Sequence, residues 1–198
     1  YFGANIKYDF SKDLFPLLLK ENKPMYGYIT DEYWCDIGDI GSYLQSHFDI
    51  MKGVTGITLK ANQLDKGVWV EDGTEIKPNV TIEGPCYIGS NSRIEDGVKI
   101  HPFTVIGKDN YIGKDSSLKR SILWNNNVVG KGTEIRGSIL CNDIRVGNRV
   151  SIFEGSAIGK DNYLRDDVTI KPDVKIWPGK TIEEGIVIED NIIWGTHL

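Results

Sequence analysis

An aliphatic residue recurs at every sixth position over most of the chain. A first run begins at Val70 and ends at Leu118, a second begins at Leu123, and a third extends from Leu140 to Ile188. Five-residue steps separate the three runs. The 21 positions of the pattern are Val70, Ile76, Ile82, Ile88, Ile94, Ile100, Ile106, Ile112, Leu118, Leu123, Val129, Ile135, Leu140, Val146, Ile152, Ile158, Leu164, Ile170, Ile176, Ile182 and Ile188.

A period of six excludes an amphipathic helix, because successive side chains would point about 240° apart around the cylinder. It also excludes a hairpin meander, since the phase continues through every short turn without resetting. The pattern predicts a mainly β solenoid of parallel strands, with three faces in each 18-residue coil and seven coils stacked about 4.8 Å apart. We expect all 21 aliphatics to be buried, no long helix within 70–188, and a start between residues 57 and 70.

The position two before each aliphatic is small, β-branched or hydrogen-bonding, as in Thr74, Ser92, Asn110 and Ser116, which suits a tight corner. These features resemble the left-handed parallel β-helix built from hexapeptide repeats. The resemblance implies the left hand, which the period alone does not give.

The first 56 residues lack this period and predict a small α/β segment. Asp39 can cap a helix whose apolar stripe begins at Ile40, and Gly53 can end that helix. Upstream, Ser11 or Asp13 can begin a shorter helix, and Met25–Thr30 alternates like a strand. We therefore expect three regions: the α/β segment at 1–56, the β-helix at 57–191, and a cap or linker at 192–198.

Composition limits the functional classes without naming one. The net charge is −5, which disfavours a nucleic-acid-binding surface. Cys35, Cys86 and Cys141 lie far apart, so their spacing indicates neither a zinc site nor a disulfide framework. No apolar run approaches the 18 residues of a membrane span, and no secretory signal precedes the repeats. We expect no membrane association and a cytoplasmic location.

A second resemblance lies in the α/β segment. It is carried by three stretches and a helix start that occur in a fixed order: Asp9-Phe10-Ser11-Lys12-Asp13-Leu14-Phe15-Pro16, Tyr26-Gly27-Tyr28, Tyr33-Trp34-Cys35-Asp36-Ile37-Gly38, and Tyr43-Leu44. Together they resemble the end of the catalytic domain of sugar-1-phosphate nucleotidylyltransferases, also called nucleotide-sugar pyrophosphorylases. Within that family the segment is most similar to the mannose-1-phosphate guanylyltransferases, in which a left-handed β-helix commonly follows.

The resemblance implies a reaction and one site residue. The sugar phosphate attacks the α-phosphorus of a nucleoside triphosphate and releases pyrophosphate, with Mg²⁺ neutralising phosphate charge, so that mannose 1-phosphate and GTP give GDP-mannose. The Asp of Trp-x-Asp-x-Gly is one of two metal carboxylates in the family and corresponds to Asp36. The alternative is that Asp36 caps the following turn.

The family's Gly-rich nucleotide loop, its second metal carboxylate and most of its sugar-binding residues have no counterpart in this sequence. We therefore expect a C-terminal fragment that is inactive alone and holds no tightly bound Mg²⁺. Asn191–Thr196 resembles the junction to a phosphomannomutase-like domain in bifunctional members. The implied partners are a sugar 1-phosphate, a nucleoside triphosphate and further copies of the chain.

Two other functions stay open. Hexapeptide acyltransferases use a His at a coil edge as general base, and His101 is the candidate here, although a lone surface His is more often simply solvated. The second open alternative is an assembly module that does not belong to any enzyme.

Surface residues of the repeats add a possible contact surface. Trp124, Phe153 and Trp177 each follow an inward aliphatic and are expected outside, where they predict an interface. The two five-residue steps predict neighbouring shortened corners; the alternative is a basic patch made of Lys119, Arg120 and Arg136.

Overall fold

The computed structural model describes Tyr1 and residues 3–193. The chain forms two compact units, Tyr1–Glu32 and Tyr33–Leu198. The 191–196 junction and the 192–198 cap expected from the sequence fall largely outside the described residues.

The first unit holds a π-helical turn, Phe10–Leu14, that continues into helix α1, Phe15–Lys20. Asp9 caps the turn, because its carboxylate accepts hydrogen bonds from the amides of Ser11 and Lys12 at 2.8 Å. The helical stretch therefore begins earlier than the expected Ser11 or Asp13. The strand expected at Met25–Thr30 is absent among the described residues, since no second strand pairs with this segment.

The second unit begins with a loop and helix α2, Ile40–Lys52. Asp39 caps it in a reciprocal capping box with Ser42: the Asp39 carboxylate accepts from the Ser42 amide at 2.6 Å, and the Ser42 hydroxyl accepts from the Asp39 amide at 3.1 Å. These hydrogen bonds lower the pKa of Asp39. Gly53 ends the helix with a φ of 77°, in the left-handed region. Both ends lie where the sequence predicts them.

The remainder is a left-handed parallel β-helix of seven coils with three faces. Face 1 consists of β2 (Val68–Val70), β5 (Cys86–Ile88), β8 (Thr104–Ile106), β11 (Ile122–Leu123), β14 (Ile139–Leu140), β17 (Ala157–Ile158) and β20 (Lys175–Ile176), preceded by the antiparallel β1 (Asn62–Asp65). Face 2 consists of β3 (Glu75–Ile76), β6 (Arg93–Ile94), β9 (Tyr111–Ile112), β12 (Val128–Val129), β15 (Arg145–Val146), β18 (Tyr163–Leu164) and β21 (Thr181–Ile182). Face 3 consists of β4 (Thr81–Ile82), β7 (Lys99–Ile100), β10 (Ser117–Lys119), β13 (Glu134–Arg136), β16 (Ser151–Ile152), β19 (Thr169–Ile170) and β22 (Val187–Ile188).

The predicted aliphatic columns fill the interior of the prism. Eighteen of the 21 residues, from Ile88 to Ile188, are at most 5% exposed. Val70, Ile76 and Ile82 of the first coil are half-buried and pack against the same core, because no further coil covers them. The six-residue period thus gives the core correctly, except for the exposure at its first coil.

The small polar residues of the pattern are buried at corners of the prism, with Ser92 and Asn110 before strands of face 2 and Ser116 before a strand of face 3. Ser92, Asn110 and Ser116 are at most 1% exposed, and each donates a side-chain hydrogen bond, 2.8–2.9 Å long, to a carbonyl of the next coil. These hydrogen bonds therefore tie successive coils together at the corners between strands. The buried Nδ2 of Asn127 makes no hydrogen bond with the described residues.

The two five-residue steps form stacked, shortened corners. Arg120 and Gly137 occupy left-handed conformations at equivalent points, with φ of 51° and 53°. The amide of Gly137 donates to the carbonyl of Lys119 at 2.9 Å. The parallel register runs through without a slip, with Leu118 opposite Ile135 and Leu123 opposite Leu140. Two adjacent 17-residue coils are therefore accommodated by matching corners, as expected.

The ends of face 1 do not show open strand edges. At the first coil β1 runs antiparallel to β2, with Gln63 opposite Trp69, so β1 covers the outer edge of β2. At the last coil Ile192 is buried and forms a parallel bridge with Ile176.

Candidate functional site

Helix α2 lies along the outer side of face 1. The outward positions of this face are largely apolar: Trp69, Tyr87, Val105, Ile122, Ile139 and Ala157. Ile122 and Ile139 point away from the prism, yet they are only 2% and 6% exposed. A groove between the helix and the face is lined by Met51, His47, Tyr87 and Val105, among others. The face is therefore buried on both sides, as parallel sheets generally are.

An aromatic clamp holds the C-terminal half of α2 to the coils. The rings of Phe48 and Phe103 lie 5.1 Å apart, and the guanidinium of Arg120 lies 5.1 Å from the Phe48 ring and 5.9 Å from the Phe103 ring. Phe103 has a φ of 63°, which is unusual for a bulky residue. Equivalent corners at Asp109 and Asp115 adopt the same conformation, with φ of 56° and 59°, and the corner at Phe103 places its ring on the helix.

Trp124 contacts α2 nearer its beginning. Its indole Nε1 donates a hydrogen bond of 3.1 Å to the hydroxyl of Tyr43. The Tyr43 ring in turn packs on His47 at 4.5 Å. Trp124, expected in an interface, thus lies against the helix of the predicted 1–56 region. A role between chains stays a prediction for this residue.

The Trp34–Gly38 motif precedes α2 and belongs to the same compact unit as the coils. The Tyr33 hydroxyl donates to the Asp49 carboxylate at 3.1 Å, and the same carboxylate accepts from Gln45 at 2.7 Å and from Lys52 at 3.4 Å. Partial burial, the Cys35 thiol and the Asp49 carboxylate raise the pKa of Tyr33 to about 12. The hydroxyl therefore stays protonated, and able to donate, at neutral pH.

The Asp36 side chain is exposed and makes no hydrogen bond with the described residues. The helix cap is Asp39, so the alternative in which Asp36 caps the following turn is not the arrangement in this structure. Mg²⁺ in nucleotide enzymes is held by one or two carboxylates together with phosphate oxygens and water. A single exposed carboxylate fits one position in that set. Among residues 1 and 3–193 no group of three His, Cys, Asp or Glu side chains completes a metal site.

His101 follows the buried Ile100 and is 31% exposed, pointing outward as expected. Its Nδ1 lies 3.6 Å from a carboxylate oxygen of Glu83 on the preceding coil. Such a pair orients the ring, which suits a general base as well as an ordinary surface contact. A catalytic role of His101 stays a hypothesis.

The last two surface features are the basic residues of the shortened corners and Trp177. The guanidinium of Arg136 lies 4.6 Å from the Phe153 ring, and its buried Nε lies 3.3 Å from a Glu154 oxygen, although without hydrogen-bond alignment. With Arg120 stacked in the clamp, two of the three cations of the proposed basic patch have partners within the chain. Trp177 is 42% exposed on the rod.

Two of the residues that build this site, Phe103 and Asp49, were missed by the sequence patterns, and Arg120 was considered only for a basic patch. A signal for the helix contact existed, because the outward positions of face 1 are apolar in six successive coils, while face 2 carries Glu75, Arg93 and Arg145 at the same positions. No comparable sequence pattern indicates the pair formed by Tyr33 and Asp49. It joins residues 16 apart whose separation depends on the path of a loop.

In the described part of the chain, no helix has the length and apolar character needed to cross a membrane.

Comparisons with known proteins identify the repeat region. A sequence family described as "EIF2B subunit epsilon LbH domain" matches residues 65–170. Among curated proteins, a Synechocystis UTP–glucose-1-phosphate uridylyltransferase is 32% identical over 107 residues, covering 48% of this chain and 25% of the relative. A Bacillus cereus (strain Q1) glucose-1-phosphate adenylyltransferase is 33% identical over 86 residues, covering 43% of this chain and 20% of the relative. The matched region thus spans no more than a quarter of these relatives.

Among solved structures, a Francisella novicida UDP-N-acetylglucosamine acyltransferase aligns with a TM-score of 0.49 and 16% identity, covering 67% of this chain and 62% of that chain. A likeness of this extent says nothing about activity. The family match covers more than half of the chain, and the curated relatives are sugar-1-phosphate nucleotidyltransferases. The chain therefore belongs to the left-handed β-helix domain family represented by the EIF2B epsilon subunit.

Proposed function

We propose that this chain is the C-terminal part of a sugar-1-phosphate nucleotidylyltransferase, in which the β-helix anchors the last segment of the catalytic domain. In its finer form, the proposal is that the whole protein makes GDP-mannose and pyrophosphate from mannose 1-phosphate and GTP. The sugar and the base rest on the likeness of residues 9–44 to guanylyltransferases, whereas the curated relatives named above use glucose 1-phosphate.

The observation that carries the proposal is the exposure of apolar side chains around the motif. In the first unit Tyr26, Tyr28 and Ile29 are 93%, 92% and 91% exposed, within a segment that alternates like a strand but pairs with no strand among the residues that the structure describes. In the second unit Trp34 is 79% exposed beside Asp36. Exposed apolar side chains of this kind, in each unit by itself, mark a contact with other protein. A catalytic domain packed on these residues would bury them and would supply the remaining ligands around Asp36.

The test is a substrate matrix. The longer protein that contains this sequence after a nucleotidyltransferase domain is incubated with Mg²⁺, one of GTP, ATP or UTP, and mannose or glucose 1-phosphate. We expect the fastest pyrophosphate release with GTP and mannose 1-phosphate, and none above background from residues 1–198 alone. Faster turnover of glucose 1-phosphate would exclude the mannose branch. No turnover of any pair would exclude the class.

We also propose that the β-helix associates with further copies of the chain through outward aromatics. Of the three aromatics Trp177 has the largest exposed fraction, 42%, so the proposal places it in the contact between chains. A few aromatic anchors supply most of the binding energy of such interfaces. We expect Trp177→Ala to weaken self-association by about 2 kcal/mol, or roughly thirtyfold in the dissociation constant.

Sedimentation velocity over a range of concentrations measures this change. Tyr111→Phe, a mild change on face 2, is the control and should leave the association constant unchanged. A wild-type chain that is monomeric at tens of micromolar would contradict the proposal.

A further inference from the structure

The Trp34–Gly38 motif is connected to the coils by a short series of side-chain contacts. Its first contact is the hydrogen bond from Tyr33, next to the motif, to Asp49 on α2. The second is the packing of α2 on face 1 through Phe48, Phe103 and Arg120. Asp49 and Phe48 are adjacent on the same helix, so the two contacts are joined by one rigid turn.

The backbone around the motif has little other support. Residues 33–38 lie in no helix or strand. The side chains of Trp34, Asp36 and Ile37 are exposed. The backbone amides of residues 33–38 donate no hydrogen bond to any residue that the structure describes. A loop with these properties would normally be mobile. The Tyr33 hydroxyl is the described side-chain group that ties this loop to the helix.

We propose that Tyr33 and Asp49 are positioning residues, which hold the Trp34–Gly38 loop in a fixed place relative to the β-helix. This inference deepens the proposed function, because in a nucleotidyltransferase the loop would carry Asp36 to the reacting phosphates. The β-helix then acts on catalysis through α2 and does not touch the substrate.

Asp49 is well suited to this role. Gln45 and Lys52 hold its carboxylate from the preceding and following turns of the helix, at 2.7 and 3.4 Å, so it presents a fixed acceptor to Tyr33. Side-chain partners that fix a functional group in this way are needed for precise geometry at active sites. Loss of the Tyr33 hydroxyl removes the tether and leaves the aromatic clamp intact.

Chymotryptic cleavage of residues 1–198 tests the tether directly. The enzyme cuts after aromatic residues, and mass spectrometry follows the fragment that begins at Cys35. Cleavage after the highly exposed Tyr26 and Tyr28 gives an internal reference. Asp49→Ala should accelerate release of the Cys35 fragment about fivefold relative to that reference, the effect of losing one net hydrogen bond on the open population. Tyr33→Phe should accelerate cleavage after Trp34 by a similar factor.

Tyr87→Phe is the matched control, because it removes another tyrosine–carboxylate hydrogen bond, to Glu71, that does not involve the loop; it should change the rate less than twofold. Thermal unfolding should be the same for Tyr33→Phe and the wild type. Unchanged cleavage in both Asp49→Ala and Tyr33→Phe would overturn the inference.

The same variants in the longer protein give an independent readout. Tyr33→Phe should lower the kcat for pyrophosphate release about five- to tenfold without lowering the melting temperature. If the longer protein has no nucleotidyltransferase activity, the proposed function fails, while the cleavage rates still decide whether the tether exists. If activity is present and tether loss alters neither cleavage nor kcat, the positioning role alone is wrong.

Discussion

Asp36→Asn in the longer protein is expected to lower the rate of pyrophosphate release at least about a hundredfold. Asn keeps the size of the side chain and one oxygen, but it removes the negative charge that a hard divalent cation prefers in its ligands. Mg²⁺, when bound with the triphosphate, supplies charge neutralisation for the transferring phosphate. In the proposed site this chain would contribute one exposed carboxylate, that of Asp36, which makes no hydrogen bond with the described residues.

Asp39→Asn is the matched control for this prediction. It lies three residues away, and Asn is as good an N-cap as Asp, so α2 should persist with little change in activity. Initial rates at saturating substrates measure both variants. If both variants lower the rate of pyrophosphate release equally, or if Asp36→Asn lowers it less than tenfold, Asp36 is not a metal ligand.

The second large effect concerns stability. Ile112→Ala is expected to destabilise the β-helix by about 3–4 kcal/mol, because it leaves a cavity in the closed interior. Ile76→Ala on the same face should cost only about 1–2 kcal/mol, since the first coil is open on one side and its packing is incomplete. Ile112 is fully buried, whereas Ile76 is half-buried.

Urea unfolding followed by circular dichroism compares the two variants with the wild type. The comparison is valid if each protein unfolds in a single two-state transition and if the free energy of unfolding depends on urea concentration with a similar slope in all three. Equal destabilisation by both substitutions would mean that the first coil is packed as tightly as the interior.

The interior of the β-helix could be predicted from the sequence because one constraint repeats in every coil. Each inward position faces the same apolar interior, so Ile94, Ile112 and Val129 each give separate evidence for the fold. Helix α2 was equally predictable, since its cap and its end are local features of Asp39 and Gly53. Local chemistry and a strict period are the two signals that a single sequence carries well.

The site depended on contacts that neither signal describes. The ring of Phe103 meets Phe48 only because a corner adopts a left-handed conformation, which aromatic residues seldom favour. The alternation at Met25–Thr30 gave a wrong strand for a related reason. A strand exists by pairing, and the pairing partner is not among the residues that the structure describes.

The docking of α2 on face 1 also limits how this protein can evolve. From Ile40 to Phe48 the helix rises about 12 Å, comparable with the three coil spacings of about 4.8 Å that separate Phe103 from Gly155. Its C-terminal half meets Phe103, while Ile40 and Gly41 lie beside Gly155 and Lys175. The length of helix α2 therefore matches a fixed number of coils between its contact with Phe103 and its contact with Gly155 and Lys175. Solenoids usually change length by duplication or loss of a whole coil. Such a change would be tolerated beyond Lys175. Between Phe103 and Lys175 it would separate one end of α2 from its contact on the coils.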